Sequence, residues 1–577
     1  MKKLLFYILV CMSGSAFAEL KLDLAQLQKT EQQLISSIVL ELPKKFENID
    51  NLIKIRTKNF RKNNRLGLYN DLTKTISLSP SAFKDLSILK KTLFHELAHA
   101  YEFRFEKIYQ IEEYQLAAGL HKRGFGPVRF LKQQNYLESA SADSYEYKNH
   151  QESFPVNFEF FMLDPEFQCR KPLLFSFFKE HFQHDPFKNQ ECVMVDKLPV
   201  NVLNQLIYEK IDFSKLYQVH YLFADKGVEA MSRWGHSMIR MVFCAPEKSV
   251  MDETCLKDIT HHWVISFRAN VQDIEINNIK GMLGKYPSEI FIFPMLEIIK
   301  EYNKTELRDL ISLPIKTNAH QLERFKQMSF EKTYAYKGKY RFFTVNCATE
   351  TLDFFKLMMN EKSLYELDLN TPLALLRKLK TSPLFDGDKI ANLEVASDTG
   401  HYFKAQTNIL VKSFEKIQNF TDSPDLNHYL EKTTAAERKS FFQNISVSSK
   451  IWASILFLEN QISAKFQKEF MEDVAKLVVD ILDNKKVPVG VSHLEELRLN
   501  YLENNNLHYD WKGYGIPFKK DFVEPQYKIS NLTEDDVKKT QEWIASVFPN
   551  EKLEVDLINN NIQFFSTELK SSIRSTK

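Results

Sequence analysis

Glycine is scarce in this chain, at 15 of 577 residues, whereas phenylalanine alone contributes 46. Glycine-rich hairpin architectures lack their turn residues at that frequency, and the abundance of Leu, Lys and Glu favours helices. Long apolar runs are missing as well. No stretch of about 18 uncharged apolar residues occurs, so no segment is predicted to span a bilayer as a helix. Charge of one sign is not in excess: 77 basic residues face 75 acidic ones. That balance leaves no basic field of the kind nucleic acid or an anionic membrane requires. Nucleic acid is therefore not expected as a partner, and membrane contact is peripheral at most. Internal repeats and low-complexity tracts are absent too, and nothing in the pattern speaks to oligomeric state.

What is present begins at the N-terminus. Lys2 and Lys3 precede the apolar run Leu4 to Met12 and the small-residue site Ala16-Phe17-Ala18, the three-part layout of a cleavable secretion signal. Residues 1–18 read as a signal peptide, with a mature chain that begins near Glu19 and is periplasmic or secreted. Val10, before Cys11, is bulkier than the small residue a lipoprotein signal carries there, so a lipid anchor is not expected. Beyond the signal stand Cys169, Cys192, Cys244, Cys255 and Cys347, an odd set in an oxidising compartment. Pairing the nearest in sequence joins Cys169 to Cys192 and Cys244 to Cys255, and leaves Cys347 as a free thiol.

A chain of this length holds several domains. The pattern predicts an α+β multidomain protein: a mainly helical domain over 19–199, a mixed strand and helix domain over 200–395, and a helical domain over 396–577. Strands are expected at Lys74 to Leu78, Ser237 to Phe243 and His262 to Phe267. Helices are expected at Ala348 to Met359, Trp452 to Leu458 and Phe470 to Leu482. The last region carries no catalytic constellation and reads as an interaction or scaffold domain. Its Tyr509 to Gly515 stretch, rich in aromatics with two glycines, suits either a binding loop or a packed turn.

The first constellation is His95-Glu96-Leu97-Ala98-His99. Leu86, Leu89, Leu93 and Leu97 recur at the spacing of one buried helical face, with Ser79-Pro80 or Ser81 as the expected start signal. Histidines four apart stand one turn above each other and can both present an imidazole to one Zn2+ ion. Glu96 beside them can take a proton from a water that the metal has acidified. The third ligand is expected to be Glu152, with Glu159 in reserve. This arrangement resembles the gluzincin peptidases of the lethal-factor type over about residues 65–170. In those enzymes a Glu opening an aromatic-rich helix completes the site, and a Tyr seven residues earlier steadies the reacting oxyanion. The resemblance gives these roles to Glu152 and Tyr145. Pro155 departs from the family's helix, which would put Glu152 just outside it. The strand at Lys74 to Leu78 is expected to be an edge able to pair with an extended peptide.

The second constellation joins Trp234-Gly235-His236-Ser237 and Arg240 to Asn346-Cys347-Ala348-Thr349. Asn346 suits a helix cap, and Cys347 in the first turn meets unpaired N–H groups that favour its thiolate. His236 is the expected base, in a Cys-His arrangement, and His262 the nearest group in sequence to orient it. These elements, with Glu306 to Asp309 between them, resemble the Lnb N-terminal periplasmic domain family over about residues 215–365, in the order of circularly permuted papain-like thiol enzymes. The resemblance implies acyl transfer or hydrolysis through a Cys347 thioester, with lipoprotein N-acylation as the activity named for the family. The expected protein is thus an exported envelope enzyme with a zinc-peptidase site (metal ligands His95, His99 and Glu152; base Glu96) and a thiol site (Cys347 and His236). Its substrates would be envelope proteins, lipoproteins or peptidoglycan. The alternative is that one site is active and the other serves as a binding module or scaffold.

Overall fold

A computed structural model describes residues 20–49, 52–60, 65–120, 136–188, 191–203, 205–227, 233–270, 285–342, 344–483, 513–524 and 534–575. The expected signal peptide, Cys11 and the mature start at Glu19 lie outside them, as do Tyr509 to Lys512. The fold is α+β, with three sheets among the described residues. Contacts divide the chain into two units, Met1–Val193 with Gly513–Gly515, and Met194–Lys512 with Ile516–Lys577.

In the first unit, strands β1 (Leu22–Asp23), β2 (Ile53–Thr57), β3 (Gly67–Asn70) and β4 (Thr75–Leu78) form one sheet in the order β1-β2-β4-β3. The segment expected as an edge is not one. β4 runs parallel to β2 on one side and antiparallel to β3 on the other, and all four of its residues are buried. The edge belongs to β3, which folds back because Asn70 Oδ1 accepts the Thr73 N–H and Lys74 adopts a left-handed backbone.

Helix α1 (Lys29–Val39) precedes β2, and α2 (Leu86–Arg104) follows β4. Asp85, not Ser79 or Ser81, caps α2: its Oδ1 accepts from Ser87 N and Ile88 N, while Ser81 opens a short 3-10 turn at Ala82–Lys84. Leu89, Leu93 and Leu97 are buried as the spacing predicts, whereas Leu86, in the first turn, is exposed. Helices α3 (Glu112–Ala118), α4 (Ser153–Leu163), α5 (Phe167–Arg170) and α6 (Pro172–Phe182) complete the unit. Phe154, Phe158 and Phe161 of α4 recur at helical spacing and meet Phe46, Tyr101, Phe178 and Phe182 in one aromatic core, with ring centroids as close as 4.8 Å. Cys169 and Cys192 form a disulfide in this unit. Of the Tyr509 to Gly515 stretch, the described residues form a packed turn. Tyr514 donates its hydroxyl hydrogen to Asp164, and its ring meets Phe160 and the Arg170 guanidinium.

The second unit is built on a seven-stranded antiparallel sheet. Its strands are β5 (Leu216–Ala224), β6 (His236–Phe243), β7 (Trp263–Ala269), β8 (Tyr286–Pro294), β9 (Leu310–Pro314), β10 (Gly338–Tyr340) and β11 (Tyr402–Phe403), in the order β10-β8-β7-β6-β5-β9-β11. The central strands β5, β6 and β7 are buried along most of their length, and their polar residues His220, Ser237, Arg240 and Ser266 are buried with them. Helix α7 (Cys347–Met359) packs on β6, and Cys244 and Cys255 form the second disulfide.

The two helices expected at Trp452 to Leu458 and Phe470 to Leu482 are parts of one helix, α8 (Ser449–Asp483), which packs against α9 (Pro549–Ser575). Trp452, Ile455, Leu458 and Ile462 present one apolar stripe to Ile558 and Phe565. Inside this core Arg438 and Glu459, both buried, meet through Nε to Oε2 at 2.8 Å and Nη2 to Oε1 at 3.1 Å, and Asn561 Nδ2 donates to Glu459 Oε1 at 3.0 Å. A desolvated guanidinium depends on that carboxylate. Glu459→Ala is expected to destabilise the helical core by about 3–5 kcal/mol, read as a shifted unfolding midpoint in urea. A change below about 1 kcal/mol, the scale of an exposed pair, would contradict this account.

Candidate metal centre and thiol site

His95 and His99 lie one turn apart on α2, and Glu152 stands just outside α4, as expected, as the last residue of a 3-10 turn at His150–Glu152 and the cap position of the helix. Pro155 falls in the first turn of α4, where no helical N–H is required, so it permits the helix rather than delaying it. Three atoms converge: His95 Nε2 and His99 Nε2 are 3.1 Å apart, and Glu152 Oε2 lies 3.2 Å from the first and 3.1 Å from the second. A tetrahedral ion ~2 Å from each ligand holds its ligands ~3.3 Å apart. The donor set and spacing are therefore ones that a tetrahedral ion such as Zn2+ could accept. Among the described residues these are the three that could hold a metal.

Glu159, two turns along α4, sits elsewhere than the reserve-ligand expectation put it. Its Oε1 meets His95 Nδ1 at 2.5 Å, on the far side of the ring, so it orients the imidazole and leaves Nε2 to the centre. Lys91 approaches the other Glu159 oxygen at 3.4 Å. Burial alone would lower His95. The hydrogen bonds to Glu152 and Glu159 and the charges of Glu159 and Glu96 outweigh it and raise the ring to about 10. Burial would likewise raise Glu152, yet the two histidines hold its carboxyl far below the usual range.

Glu96 is buried beside the pair. Its Oε2 accepts the Tyr69 N–H at 2.5 Å from the open edge of β3, and its pKa is raised by burial, against the pull of His95, His99 and that N–H. β3 comes this close only because residue 67 is glycine: a Cβ there would lie 2.6 Å from both Glu96 Oε1 and Thr92 Cγ2.

Sequence reasoning missed two supports. Glu146 is buried and accepts from Ser141, Ser153 and Asn157, at 2.5, 3.0 and 2.6 Å, which ties down the turn that delivers Glu152. Lys148 bridges Tyr145 and Glu152: its Nζ donates to the Tyr145 hydroxyl at 2.5 Å and to Glu152 Oε1 at 3.1 Å. The i, i+4 spacing of Lys148 and Glu152 was a readable signal. Tyr145 itself is exposed, its ring 5.7 Å from that of His95.

In the second unit Cys347 opens α7 and is a free, buried thiol. Asn346 caps the helix, its Oδ1 accepting from Ala348 N and Thr349 N. The helix terminus does not lower this thiol. Burial dominates over the N–H groups of Ser237, Ala348 and Cys347 and the charge of Arg308, and pushes the thiol up to about 11. Desolvation outweighs the helix terminus because the sulfur is enclosed on all sides. His236 lies one residue from Ser237 on β6, but its Nε2 is 2.9 Å from Ser266 Oγ, and among the described residues no hydrogen bond joins its ring to the thiol. Burial, then Arg268 and Arg308, keeps this imidazole well below its ordinary pKa. Its ring stacks on Tyr302 at 6.2 Å.

His262, the nearest option by sequence for orienting His236, is a buried histidine engaged elsewhere. His262 Nδ1 meets Arg240 Nη2 at 2.8 Å and its Nε2 meets the Cys255 carbonyl at 2.9 Å, so both nitrogens are engaged in another buried cluster. The register of β6 and β7 puts Ser266 opposite Met238, two residues along from His236. No local sequence signal marks that partner, because it depends on strand pairing.

Residues 203–382 match the family model of the Lnb N-terminal periplasmic domain, a match that spans His236 and Cys347. Residues 114–191 match that of a domain of unknown function (DUF7844), which takes in Glu152 and Glu159 and begins after His99. No curated protein and no solved structure matches the chain. No described helix is long and apolar enough to cross a membrane, which agrees with the periplasmic character of the matched domain.

With burial pushing Cys347 up to about 11, iodoacetamide is expected to alkylate it roughly a hundredfold more slowly in the folded chain than in urea at pH 8. The folded rate is expected to climb as pH rises from 9 towards 11. A fast, pH-independent reaction near pH 7 would show instead that the folded chain holds a thiolate.

Proposed function

We propose that the chain is an exported bacterial envelope protein whose first unit is a zinc-dependent peptidase, acting on envelope proteins, lipoproteins or the peptides of peptidoglycan. The observation that carries this reading is the triangle of His95 Nε2, His99 Nε2 and Glu152 Oε2, with edges of 3.1–3.2 Å. Zinc held there would supply Lewis acidity and lower the pKa of water towards ~7.

The remaining work falls to the chain's own residues. Glu96, fixed by the Tyr69 N–H and with its basicity raised by burial, is placed to take a proton and pass it on to a leaving amine. Glu159 keeps the His95 ring turned so that Nε2 faces the centre. Tyr145, exposed and beside His95, is the hydroxyl available to a developing oxyanion.

A second reading concerns the second unit, where Cys347 and His236 could carry acyl transfer or hydrolysis through a thioester. The burial and neutrality of Cys347 favour a noncatalytic role for the pair, with that domain serving as a binding module or scaffold. A thiol-directed activity probe decides between them: labelling of Cys347 that a His236→Ala variant loses would restore the enzymatic reading.

Elemental analysis of the purified mature chain is expected to find one zinc per chain. The metal should be lost in His95→Ala and Glu152→Ala, and retained in Glu96→Gln with peptide cleavage abolished. A native protein without zinc, or a Glu96→Gln variant with full cleavage, would end the peptidase reading.

A further inference from the structure

The zinc-peptidase reading assigns nothing to Lys148, yet its ammonium meets both the Glu152 carboxylate and the Tyr145 hydroxyl. Its Nζ lies 3.1 Å from Glu152 Oε1, 2.5 Å from the Tyr145 hydroxyl and 4.3 Å from the centre of the Tyr145 ring. Asn149 Nδ2 adds a weaker contact to the same Glu152 oxygen at 3.5 Å. The two oxygens of Glu152 therefore have separate duties: Oε1 faces an ammonium and an amide, and Oε2 faces the two imidazoles.

We infer that Lys148 is a positioning residue that keeps Glu152 a one-oxygen ligand, so that a bound metal stays four-coordinate with a position open to substrate. This rests on the metal reading above and deepens it. A free carboxylate can offer both oxygens to a metal, and a second bond from Glu152 would raise the coordination number and crowd the open position. The ammonium prevents this by occupying Oε1 with a charge-assisted hydrogen bond. Two further N–H groups remain on Nζ, and one is donated to Tyr145. The same lysine thus sets where the hydroxyl rests when no substrate draws it away. The four-residue spacing on consecutive short turns brings the ammonium to the outer oxygen, while the Glu146 network holds the backbone beneath it.

The test uses Co2+ as the probe, because its visible absorption reports geometry directly: strong for four-coordinate sites and weak for higher coordination. The full mature chain is stripped of metal and loaded with Co2+ as wild type, Lys148→Met and Lys148→Arg, with thermal unfolding checked for each. The Lys148 side chain is about half exposed (46 %), so neither change disturbs the core. Wild type is expected to give the strong four-coordinate spectrum, Lys148→Met a spectrum several-fold weaker, and Lys148→Arg the wild-type intensity restored. Cobalt uptake with superimposable spectra for wild type and Lys148→Met would overturn the role of Lys148 and leave the metal centre standing. Failure of the wild type to take up cobalt at all would overturn the metal reading and this inference with it.

Discussion

Two imidazole nitrogens and a carboxylate oxygen, held within 3.2 Å of one another where little solvent reaches, can stay that close only if protons or a cation are shared among them. Much of the first unit can be understood as the scaffold for that requirement. The surrounding carboxylates push the His95 imidazole up to about 10 against the cost of burial. Coulombic attraction at such short range, with little water to screen it, is strong enough to hold charged groups where an apolar core would otherwise expel them. Helix α2 supplies the histidines one turn apart, and the start of α4 brings the carboxylate to them.

The surroundings of the triangle are fixed by packing. The aromatic core of Phe46, Tyr101, Phe154, Phe158 and Phe182 locks α4 against α2, and Glu146 satisfies the Ser153 and Asn157 side chains where α4 begins. Neither feature touches the centre, yet together they decide that Glu152, and not Glu159, faces both imidazoles. Two helical turns separate the carboxylate that faces both Nε2 atoms from the one that meets His95 Nδ1 from behind. Gly67 works in the same way from the other side, since its missing side chain lets the edge strand reach Glu96.

The second unit shows the opposite balance. Cys347 has the helix terminus and N–H donors that elsewhere stabilise a thiolate, but its burial outweighs them and pushes the thiol up to about 11. His236 is likewise kept neutral by burial and by two arginines. Placement at a helix terminus or beside a strand therefore does not by itself set the charge of a thiol or an imidazole. The charge each group carries is set by how much solvent the sheet and its covering helices leave around it.

The local features of this protein follow from the order of its residues. The His95 and His99 pair lies on one helix face because a turn is 3.6 residues, Cys347 opens a helix because Asn346 caps it, and the two disulfides join the cysteines nearest in sequence. The strands at His236–Phe243 and Trp263–Ala269 match their apolar runs to within a residue or two. Tertiary structure alone decided that β3 and not β4 is the edge, that Glu159 stands behind His95, that Ser266 rather than His262 meets His236, and that Cys347 is neutral. Each of these depends on strand register, on the approach of segments distant in the chain or on desolvation, which are properties of the assembled core rather than of neighbouring residues.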